Sequence, residues 1–265
     1  MTNHIINPSF EDGWSDVSPS AQEPAGWELS WVLEGQPLYD TSDVAGGVPE
    51  CVHKMAHQLP PNEQRGASDA LILDGDATYK IFHYAAPFGA QLVQEVSGLP
   101  VGARFRLTVP HLAVMYGLLD PWGVEVGAWV NTTGREGGAS RDWQGAWMNA
   151  EQMGERAWNE RAIDFTVPDG GRVWVIIRFK SKWGRCDFFI DNVRLEQTAS
   201  PEPPPRPPIA PPPISPFPSP IEPPAQRGAV VVIAPRGMQV ITKEGVADKV
   251  RVSIPSGVRW EVNGE

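Results

Sequence analysis

Between Arg104 and Glu196 the chain repeats one pattern: apolar residues at every second position, then a turn. "RFRLTVPHLAVMYG" sets Phe105, Leu107, Val109, Ala113 and Met115 on one face. "VEVGAWVNTTG" does the same with Val124, Val126, Ala128 and Val130. "RAIDFTVPDGG" aligns Ile163, Phe165 and Val167, and "RVWVIIRFKS" aligns Val173, Val175, Ile177 and Phe179. "CDFFIDNVRLE" closes the series. A period of two belongs to the strand, whose successive side chains point to opposite faces. The turn signals "GLPVG", "LDPWG", "TGREGG" and "PDGG" punctuate the segments. The pattern predicts an all-β fold, an antiparallel β-sandwich. One short helix is expected around "NAEQMGERAW". The opening "INPSFEDGW" is expected to be extended and to form the first strand.

The series ends at "ASPEPPPRPPIAPPPISPFPSPIEPPAQ", residues 199–226, which holds 14 of the 28 prolines. Proline has no N–H to donate, so this run favours polyproline II over helix or interior strand. It is read as a Pro-rich arm between a sandwich domain, 1–198, and a small β-rich unit, 227–265. That unit has room for three or four short strands, too few to bury their own apolar faces. Segments such as "AVVVIA" and "VRVSI" are therefore expected to pair with another chain. Residues 200–265 would contact other protein subunits and make the protein an oligomer.

Charge and composition narrow the function classes. The chain carries a net charge of −10. Residues 1–200 hold 15 Lys and Arg against 26 Asp and Glu. Such a domain repels a phosphate backbone, so nucleic acid is not an expected partner. No stretch approaches the ~20 apolar residues that cross a bilayer, and membrane insertion is not expected. "MTNHIINPSF" has neither a basic nor an apolar leader region, so the protein is expected to stay inside its host, leave by another route or be released by lysis, the alternative being a mature form whose leader was removed. Without a secretory route the sequon "NTT" at 131–133 reads as chance. Cys51 and Cys186 have no metal-type spacing and read as two separate thiols. No Gly-rich phosphate loop, HExxH or GxSxG is present, so the chain is read as not an enzyme. His53 and His57 lie four apart, which would suit a metal on a helix, but no third ligand is apparent. They are read as surface histidines.

If the apolar residues face the core, their neighbours face outward. Those include Arg106, Tyr116, Glu125, Trp129, Asn131, Trp174, Arg178 and Lys180, with Trp122, Trp143 and Trp147 on nearby loops. Flat rings that stack on sugar faces, beside charged and amide groups that bind hydroxyls, are what a glycan site needs. Eleven tryptophans in 265 residues favour that use for some of them, while Trp27, Trp31 and Trp158 are read as core. The alternative is that the long loop from Thr132 to Trp158 covers Trp129 and Trp174 as a second small core.

The order of segments resembles the jelly-roll sandwich of galactose-binding-like carbohydrate-binding modules over residues 5–195. The resembling pieces are "INPSFEDGW", "PAGWELSW", "DALILDG", "AQLVQEVSGLPVGARFRLTV", "WNERAIDFTVPDGGRVWVIIRFK" and "FFIDNVRLE". The insert "PECVHKMAHQLPPNEQRGAS" departs from the usual short loop. The resemblance implies non-catalytic glycan binding, and a structural calcium ion (Ca2+) where the first strand meets the last. Its ligands would be Glu11 and Asp191, with Asp12 able to replace Glu11. The expected function is glycan binding by a module carried on a larger assembly such as a phage particle. A purely structural virion component and an accessory module of a glycan-degrading enzyme are the alternatives.

Overall fold

The computed structural model describes residues 2–39, 41–116, 123–134, 147–183 and 185–201. Trp122, Trp143, the arm from residue 202 and the unit 227–265 lie outside the described residues.

Alternation is realised as thirteen strands among the described residues. They are β1 (Trp14–Ser18), β2 (Ala21–Pro24), β3 (Glu28–Trp31), β4 (Glu50–Met55), β5 (Ala77–His83), β6 (Phe88–Val96) and β7 (Arg104–Val114). There follow β8 (Val124–Asn131), β9 (Trp147–Asn149), β10 (Trp158–Thr166), β11 (Val173–Ser181), β12 (Cys186–Ile190) and β13 (Arg194–Ala199). The one α-helical turn, α1 (Ala150–Met153), falls inside "NAEQMGERAW" as expected. Its cap is Asn149, whose side chain accepts from the Gln152 N–H at 3.0 Å.

Two sheets face each other as a jelly-roll β-sandwich. The larger has the order β1-β2-β4-β5-β12-β7-β10, with β13 also on β7. The smaller has the order β3-β6-β11-β8-β9. From β5 onward the chain passes repeatedly from one sheet to the other. Among the described residues all pairings are antiparallel save a single parallel contact, Ala21 with Cys51. Pro110 sits inside β7, where β13 pairing stops at Thr108 and β12 pairing starts at His111. On its other side Pro110 stands opposite Glu160 of β10.

The inner faces hold the residues that alternation assigns to them. Phe105, Leu107, Val109 and Ala113 of β7 meet Val124, Val126, Ala128, Val175, Ile177 and Phe179 of the opposing sheet. Trp27 is buried in this core and Trp31 packs on it. Trp158 differs from expectation. It packs outside the larger sheet with Leu71, Leu112, Val114 and Phe189, and donates from Nε1 to the Ala70 carbonyl at 2.8 Å. The insert after β4 makes this satellite cluster possible. It coils through two 3-10 turns, Ala56–Gln58 and Pro61–Glu63, and lays Leu59 and Leu71 on the sheet.

"INPSFEDGW" does not open on a strand. Residues 6–13 form a turn, and β1 begins only at Trp14. Pro8 has no ladder donor, and Asn7 and Phe10 take left-handed φ of 51° and 60°. Side-chain contacts offset that backbone cost. Phe10 is fully buried and stacks on Tyr79 at 5.3 Å. Asn7 donates to the Ala25 carbonyl and accepts the Asp12 N–H. The N-terminus is nonetheless clasped to the closing strand. Asn3 accepts from the Leu195 N–H and donates to the Val193 carbonyl, and His4 N–H donates to the Leu195 carbonyl.

Two further sequence readings are settled by burial. Cys51 and Cys186 are both buried and free. Burial pushes the Cys51 thiol up to about 12, so it stays protonated at neutral pH. His57 is exposed, but His53 is not a surface residue: it lies on the core side of β4, 5% exposed. The reason is visible in "CVHKM", where Cys51 and His53 share a face.

Candidate functional site

The outer face of the smaller sheet carries a regular grid. Register sets Glu28, Val93, Ile176 and Trp129 on one row across the strands. Ser30, Gln91, Arg178, Gly127 and Trp147 make the next row. Glu95, Trp174 and Asn131 form a row on one side of these, and Gly89, Lys180 and Glu125 a row on the other. Trp174, Trp129 and Trp147 thus lie on successive diagonals. Diagonal neighbours in a sheet are ~7–8 Å apart, so the line spans roughly 15 Å. All three are half-buried and pack over Val93 and Ile176.

Two glycines inside strands let rings approach the sheet. A Cβ on Gly127 would come within 2.7 Å of the Trp147 indole, and one on Gly89 within 3.1 Å of the Tyr39 ring. Tyr39 and Trp147 also face each other, at 6.3 Å between centroids. The Arg178 guanidinium lies 4.5 Å from the Tyr39 ring centroid and donates to Gln91 Oε1 at 2.6 Å. The Lys180 ammonium lies 4.5 Å from the Trp147 centroid and pairs with Glu125 at 2.8 Å. This ion pair is almost fully buried. Desolvation raises the cost of separating its partners, so it is a rigid element beneath the rings. Tyr39 OH is buried and has no hydrogen-bond partner among the described residues, and burial raises its pKa far above the ordinary tyrosine range. Asn131 holds the turn after β8, accepting from the Thr133 N–H and hydroxyl. A surface groove of about 350 Å³ runs beside Trp174, lined also by Glu28, Val93 and Glu95.

The expected outward set is therefore divided. Glu125, Trp129, Asn131, Trp147, Trp174 and Arg178 come together on the smaller sheet. Arg106 and Tyr116 do not join them. Both project from β7 or its end, outside the larger sheet, on the opposite side of the sandwich. Arg106 is exposed and forms a two-pronged pair with Asp164, 2.8 Å at each prong. Tyr116 donates to Asp187 at 2.9 Å in a separate cavity. Alternation separates inside from outside, yet a sandwich has two outsides. Tyr39 and Gln91 belong to the first group although the outward set omits them. For Tyr39 the signal was Gly89, since glycine inside a strand marks close approach by another group.

Glu11 and Asp191 meet through a shared loop, residues 73–77. Glu11 Oε1 accepts the Asp76 and Ala77 N–H groups at 2.7 and 2.6 Å. Asp191 Oδ2 accepts the Leu73 and Asp74 N–H groups at 2.6 and 2.9 Å. Asp191 Oδ1 is buried without a partner among the described residues. Burial pushes the Asp191 carboxyl up to about 7 despite its backbone donors. Asp12 is exposed. Among the described residues no cluster of three His, Cys, Asp or Glu side chains could hold a metal. Any cation here would draw on these two carboxylates and on loop carbonyls, a donor set of the hard-oxygen kind that calcium takes.

No protein-family model matches the sequence, and no curated protein sequence matches it. The solved structures that align with the sandwich include carbohydrate-binding modules. One is TmCBM61 in complex with beta-1,4-galactotriose, at 20% identity over 74% of this chain and 99% of that one, TM-score 0.45. Another is the enzymatically active domain of bacteriophage CBA120 tailspike protein 4, at 15% identity and TM-score 0.45. That alignment covers 74% of this chain and only 21% of the tailspike chain. A third is a Stig cyclase from Fischerella sp. TAU, at 15% identity over 75% of this chain and 98% of that one, TM-score 0.44.

Proposed function

We propose that the sandwich is a non-catalytic glycan-binding module whose site is the outer face of β3-β6-β11-β8-β9. The observation that carries this reading is the diagonal of Trp174, Trp129 and Trp147 over Val93 and Ile176, beside Arg178 and Gln91. Three half-buried rings on one rigid sheet present apolar faces in a line, which suits an oligosaccharide better than a single sugar. Gln91, Arg178 and Glu95 supply groups that pair with hydroxyls. The test is calorimetric titration with neutral galacto- and xylo-oligosaccharides on the full chain. Trp129→Ala or Trp174→Ala should weaken binding at least ten-fold while the protein stays folded. If both unfold the domain, the rings are a small core and the proposal fails; so it does if affinity is unchanged.

A calcium ion held by Glu11 and Asp191 would brace the 73–77 loop against the closing turn. The unpartnered, buried Asp191 Oδ1 favours this. Chelator should lower the melting temperature and Asp191→Ala should abolish the effect; identical melting curves with and without chelator would exclude it.

Attachment to a larger assembly, such as a phage particle, rests on the sequence beyond residue 201. Its proline run and apolar segments suit contact with other subunits. Light scattering should find the full chain larger than a monomer and a chain ending at residue 201 monomeric. A monomeric full chain would leave the arm a simple spacer.

A further inference from the structure

The opposite outer face holds a second cavity system that the glycan reading leaves unused. One cavity of about 410 Å³ is lined by Lys80, Phe82, Tyr84, Tyr116, Arg185 and Asp187. A second of about 170 Å³ shares Lys80, Tyr116 and Asp187 with it and extends under the insert to Lys54, Glu63 and Arg156. Register explains the convergence: Asp187 sits between Phe82 on β5 and Val114 on β7.

The floor is a fixed polar triad. Lys80 Nζ meets Asp187 at 2.7 Å, with both side chains largely buried, and Tyr116 OH donates to the same carboxylate at 2.9 Å. The Lys80 ammonium lies 3.9 Å from the Phe82 ring centroid. The rim is open and aromatic, with Tyr84 70% and Tyr116 61% exposed. Tyr116 holds a left-handed φ of 49°, a backbone cost that the Asp187 bond helps to offset. Arg185 is exposed beside Tyr84, 5.4 Å from its ring centroid, and has no acidic partner among the described residues. Glu63 is occupied by Arg156. Among the described residues four cations and two carboxylates line the joined cavities, a net of +2 on a chain of net −10.

A local positive potential on an acidic protein concentrates anions at that place. A guanidinium fits a carboxylate in a two-pronged geometry. Exposed tyrosine rings fit the apolar face of a sugar, and the Lys80–Asp187 pair offers a donor and an acceptor for hydroxyls. From this combination we infer that the cavity over β5, β12 and β7 binds a sugar acid, a hexuronate or a sialate. Its carboxylate meets Arg185 and its ring lies against Tyr84 and Tyr116. The site is independent of the tryptophan face and stands or falls without it.

The experiment uses the full chain, with galacturonate, glucuronate and N-acetylneuraminate as probes and galactose and glucose as neutral controls. Saturation-transfer NMR detects binding and calorimetry at low salt measures it. The acids should bind in preference to the neutral sugars, more weakly as salt rises. Arg185→Gln and Tyr84→Ala should each lower affinity for the acids at least ten-fold. Both residues are exposed, so melting temperatures should not change. Trp174→Ala should leave acid binding intact. The inference is overturned if no acid binds at millimolar concentration. Neutral sugars binding equally well, or both variants binding like wild type, would overturn it too. Loss of acid binding in Trp174→Ala alone would move the anion to the tryptophan face and likewise refute it.

Discussion

Replacing His53 with phenylalanine should stabilise the protein in acid. His53 is enclosed by rings: Trp14 stacks on it at 4.3 Å, and Phe10 and Tyr79 approach edge-on at 6.4 and 5.0 Å. Neither ring nitrogen has a hydrogen-bond partner among the described residues. Burial lowers its pKa to about 4, against 6.5 for a free side chain. Tyr79 faces it but is held far above its ordinary range and does not ionise below neutral pH. Between pH 6.5 and 4 the unfolded state therefore binds a proton that the folded state refuses. Stability is complete above pH 6.5 and is lost as pH falls toward 4. A shift of this size corresponds to about 3 kcal/mol at full linkage, and to about 2 once solvent near the exposed Trp14 edge is allowed for. Phenylalanine keeps the ring contacts, cannot take the proton and leaves no unpaired nitrogen. Urea unfolding at pH 5 and pH 7 measures the difference. The variant should match or exceed wild type at pH 7 and gain about 1 kcal/mol on it by pH 5, with the rest of the gain appearing toward pH 4. His111, also lowered to about 4 by burial, should give the variant a residual slope of the same sign. Equal slopes in the two proteins, or a variant weaker at pH 5, would refute the reasoning.

Gly127→Val should displace Trp147, since its Cβ would stand 2.7 Å from the indole. We expect altered near-ultraviolet dichroism, weaker glycan binding and a stability loss of about 1–3 kcal/mol. Gln94→Ala should destabilise by about 1–3 kcal/mol in urea unfolding, because Gln94 alone satisfies the Ile6 N–H and carbonyl and the Gly26 carbonyl from its buried side chain. Arg106→Ala should leave both melting temperature and glycan affinity unchanged, since its pair with Asp164 is fully solvated.

The strands of the second half were legible because both faces of each are decided by one strong contrast. In β11, Val173, Val175, Ile177 and Phe179 enter the core and Trp174 does not, as the alternation requires. The first half was less legible. Asn7 and Phe10 hold left-handed backbone through contacts with Ala25, Trp27 and Tyr79, all distant in sequence. A local pattern carries no trace of such contacts, so an extended start was expected where a turn exists. His53 was misplaced for a different reason: its spacing from His57 drew attention to a helix that does not form, while its alternation with Cys51 went unused.

The site was half legible, and the missing half is a matter of topology. Arg106 and Trp129 alternate with core residues equally well, so period alone ranks them as equals. What separates them is that β7 lies between β12 and β10 in one sheet, while β8 lies between β11 and β9 in the other. Those pairings join residues such as Asp187 and Val114, or Trp174 and Asn131, far apart along the chain. Glycine is the local feature that does report on the site. Gly89 and Gly127 interrupt otherwise good strands at a cost in β propensity; Gly127 lies under the Trp147 ring and Gly89 against Val32, Tyr39 and Leu38. A glycine inside an alternating strand, on the outward phase, thus marks where another side chain closes on the sheet. Two such glycines on one sheet distinguish the tryptophan face from the other outside, which has none among its described strands.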